Sequence, residues 1–201
     1  MRSLIVTQNV TLDGSPEMLT DWFAPQGQSS GGQGVGEPVD ESDLVAEIHR
    51  QDATADALLV GRQTFTDFRG YWRDLEDDTT GISAYLDAVQ KYVVSSTLTE
   101  PEWQNTTILG GDLVAAVREL KQQDGQDIVC TGSISLSQTL IAAGLVDEFR
   151  LFTYPAVQGR GRRLFPEGYE VARLRLLEAR TFRNGVVLTR YDAGVREPTP
   201  S

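Results

Sequence analysis

Three short segments rich in glycine, serine and threonine each follow a predicted strand, and their chemistry suits a phosphate. They are Gly61 to Phe65, Ser95 to Thr97, and Thr131 to Ser135. Glycine lets the backbone approach a phosphate closely, hydroxyls donate hydrogen bonds to it, and Arg62 adds positive charge. In an open α/β sheet, ligands bind beyond the carboxyl ends of the strands, where loops lead into helix N-termini. Three such segments in one domain predict a dinucleotide site.

The two common phosphate-binding motifs do not occur. The chain has neither G-x-G-x-x-G nor G-x-x-x-x-G-K-[ST] at a strand-to-helix junction. This counts against a Rossmann domain of the common type and against a P-loop NTPase.

The elements that must position these segments alternate between strand and helix for three quarters of the chain, after which strands dominate. The predicted strands are Leu4–Val10, Ala57–Val60, Tyr92–Val94, Thr106–Leu109, Asp127–Thr131, Phe149–Tyr154, Arg173–Ala179 and Val186–Tyr191. Helices are predicted from Ser42 to Gln51, from Gln63, over Ile82–Val89, after Asp112, and over Ser133–Ala143. The pair Asn184-Gly185 predicts a two-residue hairpin turn. The pattern indicates a three-layer α/β/α domain with a mostly parallel sheet and an antiparallel C-terminal hairpin.

The chain is expected to form a single domain over residues 1–193, with a frayed tail over 194–201. The stretch Gln26 to Gly36 holds five glycines in eleven residues and predicts a flexible loop. It is either a tolerated surface insertion or a mobile flap over a site.

Composition excludes several classes of function. Lys and Arg number 18 against 29 Asp and Glu, and the formal charge of −11 disfavours nucleic acid and anionic membranes as partners. One cysteine, Cys130, and one histidine, His49, can form neither a disulfide nor a structural zinc site, so no metal is expected. Cys130 is interpreted as a small buried residue and His49 as a surface residue. No signal peptide or membrane span is evident, and a cytoplasmic location is expected.

The spacing of the three segments, together with two further motifs, resembles the dihydrofolate reductase fold family. The chain looks closest to the C-terminal reductase domain of bifunctional riboflavin-biosynthesis deaminase/reductases and their stand-alone relatives. The matching pieces are Thr11-Leu12-Asp13-Gly14, Gly61-Arg62-Gln63-Thr64-Phe65, Val94-Ser95-Ser96-Thr97, Cys130-Thr131-Gly132-Ser133, and the P-x-x-x-G-x-G-x-x-L-F run from Pro155 to Phe165. The partner deaminase activity is excluded, because a zinc deaminase needs H-x-E and P-C-x-x-C ligands.

The resemblance implies NADPH bound across the sheet. Cofactor-binding residues implied in this way are Val10, Thr11, Leu12, Gly61, Arg62, Thr64, Phe65, Ser95, Ser96, Thr131, Gly132, Ser133, Ile134 and Ser135. Val10 to Leu12 would flank the nicotinamide, Ser95 and Ser96 would lie near the 2′-phosphate, and Thr131 to Ser135 would hold the pyrophosphate. One departure is the single glycine, Gly132, where the family often has two or three.

A reduction also needs a proton donor, and Asp13 is the first ionisable residue after the first strand. We expect Asp13 at the floor of the ligand crevice with a raised pKa, although Asp-Gly is also a common turn pair. Glu17 and Asp21 are the alternatives. Trp22 and Phe23 could stack on a flat heterocycle or simply pack in the core.

The leading interpretation is an NADPH-dependent reductase of a small heterocyclic or carbonyl substrate, riboflavin-pathway or dihydrofolate reductase-like. Asp21, Trp22, Phe23 and Arg160 are the candidate substrate residues, and the cluster with Arg160 could face a ribose phosphate. The alternatives are a non-catalytic nucleotide-binding protein of the same fold and a flavin-binding variant. A homodimer is expected through the C-terminal strands, Phe149 to Tyr154 and the following hairpin, which would otherwise leave an open sheet edge.

Overall fold

The computed structural model of the chain describes residues 1–24 and 40–194, so the predicted loop Gln26–Gly36 and almost all of the tail lie outside the described residues. The strands are β1 (Leu4–Thr11), β2 (Ala55–Gly61), β3 (Gln90–Val94), β4 (Thr106–Leu109), β5 (Asp127–Thr131), β6 (Glu148–Tyr154), β7 (Arg175–Thr181) and β8 (Val187–Asp192). The helices are α1 (Ser42–Asp52), α2 (Arg62–Trp72), α3 (Ile82–Ala88), α4 (Leu113–Gln122) and α5 (Ile134–Ala142). Every predicted element is present within a few residues of its expected bounds.

All eight strands form one mixed sheet in the order β4-β3-β2-β5-β1-β6-β8-β7. The pairings from β4 to β6 are parallel, and β8 pairs antiparallel with β6 and β7. The predicted α/β fold with an antiparallel C-terminal hairpin is therefore confirmed.

Alternating side chains build an apolar layer on each face of the sheet. On β2, Ala57 and Leu59 belong to a cluster with α4 and α5, whereas Leu58 and Val60 belong to a cluster with α2 and α3. Near α1, Phe152 and Tyr154 of β6 pack with Leu44. A strand covered by helices on both faces has an almost continuous apolar run, which is why β2 was recognisable in the sequence.

The order of the strands brings the carboxyl ends of β3, β2, β5 and β1 to one edge. In register, Val94 of β3 pairs with Gly61 of β2, and Thr7 of β1 pairs with Thr131 of β5. The three phosphate-suited segments therefore leave the sheet side by side, and we call this border the carboxyl edge.

Two expectations about the C-terminal strands are wrong. The segment Phe149–Tyr154 lies inside the sheet, between β1 and β8, so the open edge on this side is β7 instead. The hairpin loop has three residues, because Phe182 N–H donates to the Val186 carbonyl at 2.9 Å and Gly185 N–H donates to the Phe182 carbonyl. Gly185 has a φ of 84°, which suits the left-handed position of a three-residue hairpin.

Within residues 1–24 and 40–194, no helix is long and apolar enough to cross a membrane.

Candidate active site

Two of the phosphate-suited segments contact each other at the carboxyl edge. Gly61 N–H donates to Ser133 Oγ at 2.7 Å. The backbone N–H and the hydroxyl of Ser133 both donate to Thr64 Oγ1, at 2.9 and 2.7 Å. This small network fixes the start of α2 against the start of α5.

Gly132 lies too close to Thr64 for any larger residue. A Cβ built on Gly132 would lie 2.7 Å from Thr64 Cγ2, and the residue has a φ of +60°. Ser133 follows with a φ of 41°, a left-handed conformation that serine rarely adopts. Serine therefore occupies a left-handed position beside Gly132, where the family often has a further glycine.

The start of α5 is open to an acceptor. Ser133 precedes the helix, but its side chain makes no capping hydrogen bond. The first N–H groups of a helix have no partner within the helix and, with the helix dipole, favour an anion. Arg62 opens α2 close by, and its exposed guanidinium makes no hydrogen bond or ion pair with the described residues.

The third segment keeps its hydroxyl groups near the surface. Ser95 Oγ accepts the backbone N–H groups of Thr97 and Leu98 at 3.1 and 2.9 Å, which folds the loop after β3. Ser96 is exposed.

Some of the predicted cofactor residues have buried side chains. Phe65 is 1% exposed with its ring centroid 5.8 Å from that of Trp103, and Ile134 is also buried. Val10 and Thr11 are buried, whereas Leu12 is 64% exposed. Phe65 and Ile134 thus pack in the interior, and Leu12 is the most accessible of the three residues predicted beside the nicotinamide.

A cavity of about 390 Å³ opens next to this edge, between the sheet and α1, α2 and α3, and we call it the large cavity. Its wall is mostly aromatic and aliphatic. The apolar lining residues are Pro16, Met18, Phe23, Leu44, Ile48, Leu58, Phe68, Tyr71, Trp72, Ile82, Tyr85, Leu86, Val129, Phe152 and Tyr154, and the polar residues and glycine are Thr7, Gln8, Asn9, Gln51, Asp52, Asp67, Thr131, Gly132 and Arg150. Thr131 and Gly132 belong both to this wall and to the carboxyl edge. Such a cavity suits a flat, largely apolar ring with a few polar substituents.

Asp52, the last residue of α1, is a carboxyl group in this wall with a perturbed pKa. Burial raises the pKa of Asp52 from 3.8 to about 6, while the nearby His49 opposes the shift. Burial, followed by the charge of Asp52, raises the pKa of Tyr85 as well. A carboxyl group with a pKa near 6 can hold a proton and deliver it close to neutral pH.

The hydrogen bonds and the pKa of Asp13 differ from those predicted for a buried acid. Its carboxylate accepts the N–H groups of Gln158 and Gly159 at 3.2 and 2.7 Å. A hydrogen bond from the Thr11 side chain, followed by these two backbone bonds, lowers the pKa of Asp13 to about 2. The predicted rise in its pKa is therefore wrong, and Asp13 is not among the residues that line the large cavity.

Glu17 ties the same two loops together. Its carboxylate accepts Arg162 N–H at 2.7 Å and Arg162 Nε at 2.6 Å, and these bonds lower the pKa of Glu17. Asp13 and Glu17 thus anchor the loop from Gln158 to Arg163 against the loop after β1, and Arg163 Nη1 adds a bond to the Asp13 carbonyl.

The four predicted substrate residues are separated by the structure. Phe23 lines the large cavity, whereas Trp22 is not among its lining residues and donates to the Glu17 carbonyl and to Gln158 Oε1. The ring centroids of Trp22 and Phe23 lie 5.3 and 5.6 Å from that of Tyr154. Asp21 and Arg160 are exposed and do not line the large cavity.

Comparison with known proteins explains this architecture. The sequence model of one protein family, the RibD C-terminal domain, matches residues 2–188 of this chain. The chain belongs to the RibD C-terminal domain family. That family consists of reductases, so the predicted family resemblance is confirmed and an oxidoreductase of the riboflavin-pathway pyrimidine reductase type is supported.

One curated protein and several solved structures are similar to this chain. The uncharacterized protein YyaP of Bacillus subtilis is 36% identical over 138 residues, which are 68% of this chain and 73% of YyaP. A putative riboflavin biosynthesis protein from Shewanella has the same fold, with a TM-score of 0.66 at 18% identity over 94% of this chain and 98% of that one. A pyrimidine reductase-like protein from Corynebacterium diphtheriae gives a TM-score of 0.62 at 16% identity, covering 95% and 91% of the two chains. RibD of Acinetobacter baumannii gives 0.62 at 16% identity over 96% of this chain, which spans only 58% of that protein.

Asp52 and Arg150, two polar residues in the wall of the large cavity, were not predicted from the sequence. Asp52 follows Leu44 and Ile48 at intervals of four, so an acidic residue on the apolar face of α1 was a readable signal. Arg150 is 3% exposed. On β6 it stands at every-second-residue spacing with the buried aromatic residues Phe152 and Tyr154, and a charged residue in such a pattern was the available signal.

Over the described ranges, no group of three or more His, Cys, Asp or Glu residues could hold a metal ion. Cys130 is buried and His49 is exposed, as predicted, and burial raises the pKa of the Cys130 thiol to about 12.

Proposed function

We propose that this protein is an NADPH-dependent reductase whose substrate, a small heterocyclic or carbonyl compound, places its ring in the large cavity. One observation carries the proposal: Thr131 and Gly132 belong both to the carboxyl edge and to the cavity wall. A cofactor whose phosphates bind at the start of α5 would therefore lie against the cavity that takes the substrate, and hydride transfer requires the two molecules to be adjacent.

The residues present fit a dinucleotide phosphate. The open N-terminus of α5 offers backbone N–H donors, and the guanidinium of Arg62 has no partner among the described residues. Gly132 keeps this surface free of a side chain, and Thr64 holds it in place. Gly61 N–H already donates to Ser133, so we assign phosphate contacts to the start of α5 and to Arg62 rather than to that N–H group.

NADPH, when bound, supplies the hydride, and the chain supplies orientation and the proton. The aromatic wall excludes water and aligns a flat ring, with Phe23 and Tyr71 among its members. Asp52 holds the proton in the same cavity, and we assign the acid role to it in place of Asp13. Leu12, exposed after β1, remains the residue proposed to flank the nicotinamide.

We also propose a homodimer, formed through β7. This strand ends the sheet, and no second strand pairs with it within residues 1–24 and 40–194. Its Leu176 and Leu177 are 53% and 40% exposed, which is unusual for apolar residues on an open edge unless another chain covers it.

Binding and turnover experiments test the proposed function together. We expect NADPH at 100 times its dissociation constant to stabilise the protein by about 2.7 kcal/mol in thermal unfolding. Oxidation of NADPH should then follow the addition of a suitable flat heterocycle with a C=N or C=O bond. Stabilisation by NADPH without any turnover favours the non-catalytic alternative. A yellow purified protein that is stabilised by FMN and not by NADPH favours the flavin alternative.

A further inference from the structure

Thr7 and Arg150 are neighbours at the wall of the large cavity. They pair in register between the parallel strands β1 and β6, so their side chains leave the same face of the sheet. Both residues line the cavity, together with Asn9 and Phe152 from the same two strands. The pair therefore places a hydroxyl and a guanidinium side by side in a mostly apolar wall.

Each of these two side chains has a buried polar atom without a hydrogen-bond partner within the described part of the chain. The atoms are Thr7 Oγ1 and Arg150 Nη1. Arg150 itself is 3% exposed. Most buried polar atoms in proteins are paired, because leaving one unpaired is costly. Two such atoms on register neighbours, in residues that both line the cavity, point to a ligand atom that accepts hydrogen bonds.

The other two nitrogens of the Arg150 guanidinium are already paired with carboxylates. Its Nε donates to Glu148 at 2.7 Å, and its Nη2 lies 3.7 Å from Asp127. Both carboxylates line a separate cavity of about 150 Å³, whereas neither lines the large one. This leaves Nη1 as the guanidinium nitrogen without a partner in the described part of the chain, and the ion pairs hold the group in a fixed position.

The charges of Glu148 and Asp127 indicate whether the ligand atom that accepts from Arg150 is charged or neutral. Arg150 faces Glu148 and Asp127, and Glu148 also pairs with Arg190. Two positive and two negative groups compensate one another, so no excess positive charge remains for a carboxylate or phosphate. A neutral carbonyl oxygen has two lone pairs and can accept two hydrogen bonds. Arg150 and Thr7 supply two donors, and the surrounding ion pairs leave no net charge.

We propose that Arg150 Nη1 and Thr7 Oγ1 together bind a neutral ring carbonyl oxygen of the substrate and thereby select carbonyl-bearing rings over rings that lack one. The inference rests on the proposed function only in taking the large cavity as the substrate site. It concerns binding and requires no turnover.

The test uses three probes of similar shape: quinolin-2-one, quinoline and quinoline-2-carboxylate. Their dissociation constants are measured by calorimetry on the full chain without cofactor. Quinolin-2-one should bind at least about tenfold more tightly than the other two, which is the discrimination that a buried polar pair gives at its lower end. No detectable binding of quinolin-2-one, or equal binding of all three probes, would overturn the proposal.

Two variants assign the preference to the pair. Thr7→Val keeps the side-chain shape, and it should reduce the carbonyl preference while raising the melting temperature, because it removes an unpaired buried hydroxyl. Arg150→Lys keeps the charge between the two carboxylates and should also reduce the preference. The matched control is Thr153→Val, on β6 but outside the cavity wall, which should leave the preference intact.

The outcomes separate this inference from the proposed function. An unchanged preference in both Thr7→Val and Arg150→Lys, or an equal loss in Thr153→Val, overturns the assignment even if the protein oxidises NADPH. A preference that depends on Thr7 and Arg150 supports the assignment even if no turnover is found.

Discussion

A Cβ on Gly132 would lie 2.7 Å from Thr64 Cγ2, so the end of β5 and the first turn of α2 are in contact through a glycine. This contact joins two of the three segments proposed to surround the cofactor. Position 132 therefore requires glycine, whereas Ser133, the next residue, adopts a left-handed conformation without being glycine.

Replacing that glycine should damage both folding and cofactor binding. Gly132→Ala adds a steric clash to the cost of a left-handed alanine, together about 2–5 kcal/mol in urea unfolding. The control is Gly111→Ala, where φ is +75° and nothing lies within 4 Å, so only about 1–2 kcal/mol is expected. Equal effects of the two variants would contradict the contact.

Arg62 should determine the preference between cofactors. Arg62→Ala removes a guanidinium that has no partner among the described residues and lies beside the proposed phosphate site, so we expect about tenfold weaker NADPH binding with little change for NADH. Calorimetric titration of both cofactors into wild type and variant measures the ratio. Wild-type protein that binds NADPH and NADH equally, or a ratio that Arg62→Ala leaves unchanged, argues against the assignment.

Asp52 should control the pH dependence of turnover. If the protonated carboxyl is the acid, kcat/KM should fall as the pH rises through about 6, and Asp52→Asn should lower turnover about 10²-fold and abolish that limb. The control is Asp21→Asn, an exposed carboxyl outside the cavity wall. A pH profile that is the same in Asp52→Asn as in the wild type would exclude the role.

The same substitution has a predictable effect on stability. Because the pKa of Asp52 is higher in the folded state, folded protein holds a proton that the unfolded chain has released, so stability falls as the pH rises from about 4 to about 6. Asp52→Asn should therefore be more stable than wild type at pH 7.5, by at most about 3 kcal/mol. Denaturant unfolding at pH 4 and pH 7.5 measures the difference, which should disappear at the lower pH.

Asp13→Asn should behave as a loop variant. The carboxylate accepts two backbone N–H groups, and an amide can replace only part of that arrangement because it has a single oxygen. Turnover should stay within about threefold of the wild type, far from the loss expected when a catalytic acid is removed. A loss of about 10²-fold on a verified substrate would return the acid role to Asp13.

The sequence predicted the fold better than the site, and particular residues show why. Runs such as Ala57-Leu58-Leu59-Val60 are apolar because helices cover both faces, so local composition reports the strand directly. Residues at strand ends, such as Gly61 and Gly132, were also predictable, since parallel strands finish at one edge.

The wall of the large cavity is formed by residues far apart in the sequence, so local sequence patterns do not predict it. Arg150 and Thr7, 143 positions apart, are brought together by the pairing of β1 with β6, and the raised pKa of Asp52 comes from its burial in the folded protein. The pKa of Asp13 was predicted wrongly because a nearby hydroxyl, that of Thr11, and two distant backbone N–H groups, those of Gln158 and Gly159, stabilise its carboxylate.

The proposed dimer predicts a mass of about twice 22.1 kDa in light scattering at micromolar concentration. Leu176→Lys should shift the protein towards monomer, because a charge on an edge strand opposes pairing with a second strand. A wild-type mass near that of one chain would contradict the interface.

Transfer of deuterium from labelled NADPH tests the central claim most directly. The protein is incubated with NADPH carrying deuterium on one or the other face of nicotinamide C4, together with a panel of flat heterocycles containing C=N or C=O bonds. We predict that mass spectrometry finds the label in one reduced product, from one of the two labelled cofactors only, and that Gly132→Ala abolishes the transfer. Binding of the cofactor with no transfer to any member of the panel, or no binding of NADPH at all, would contradict the account.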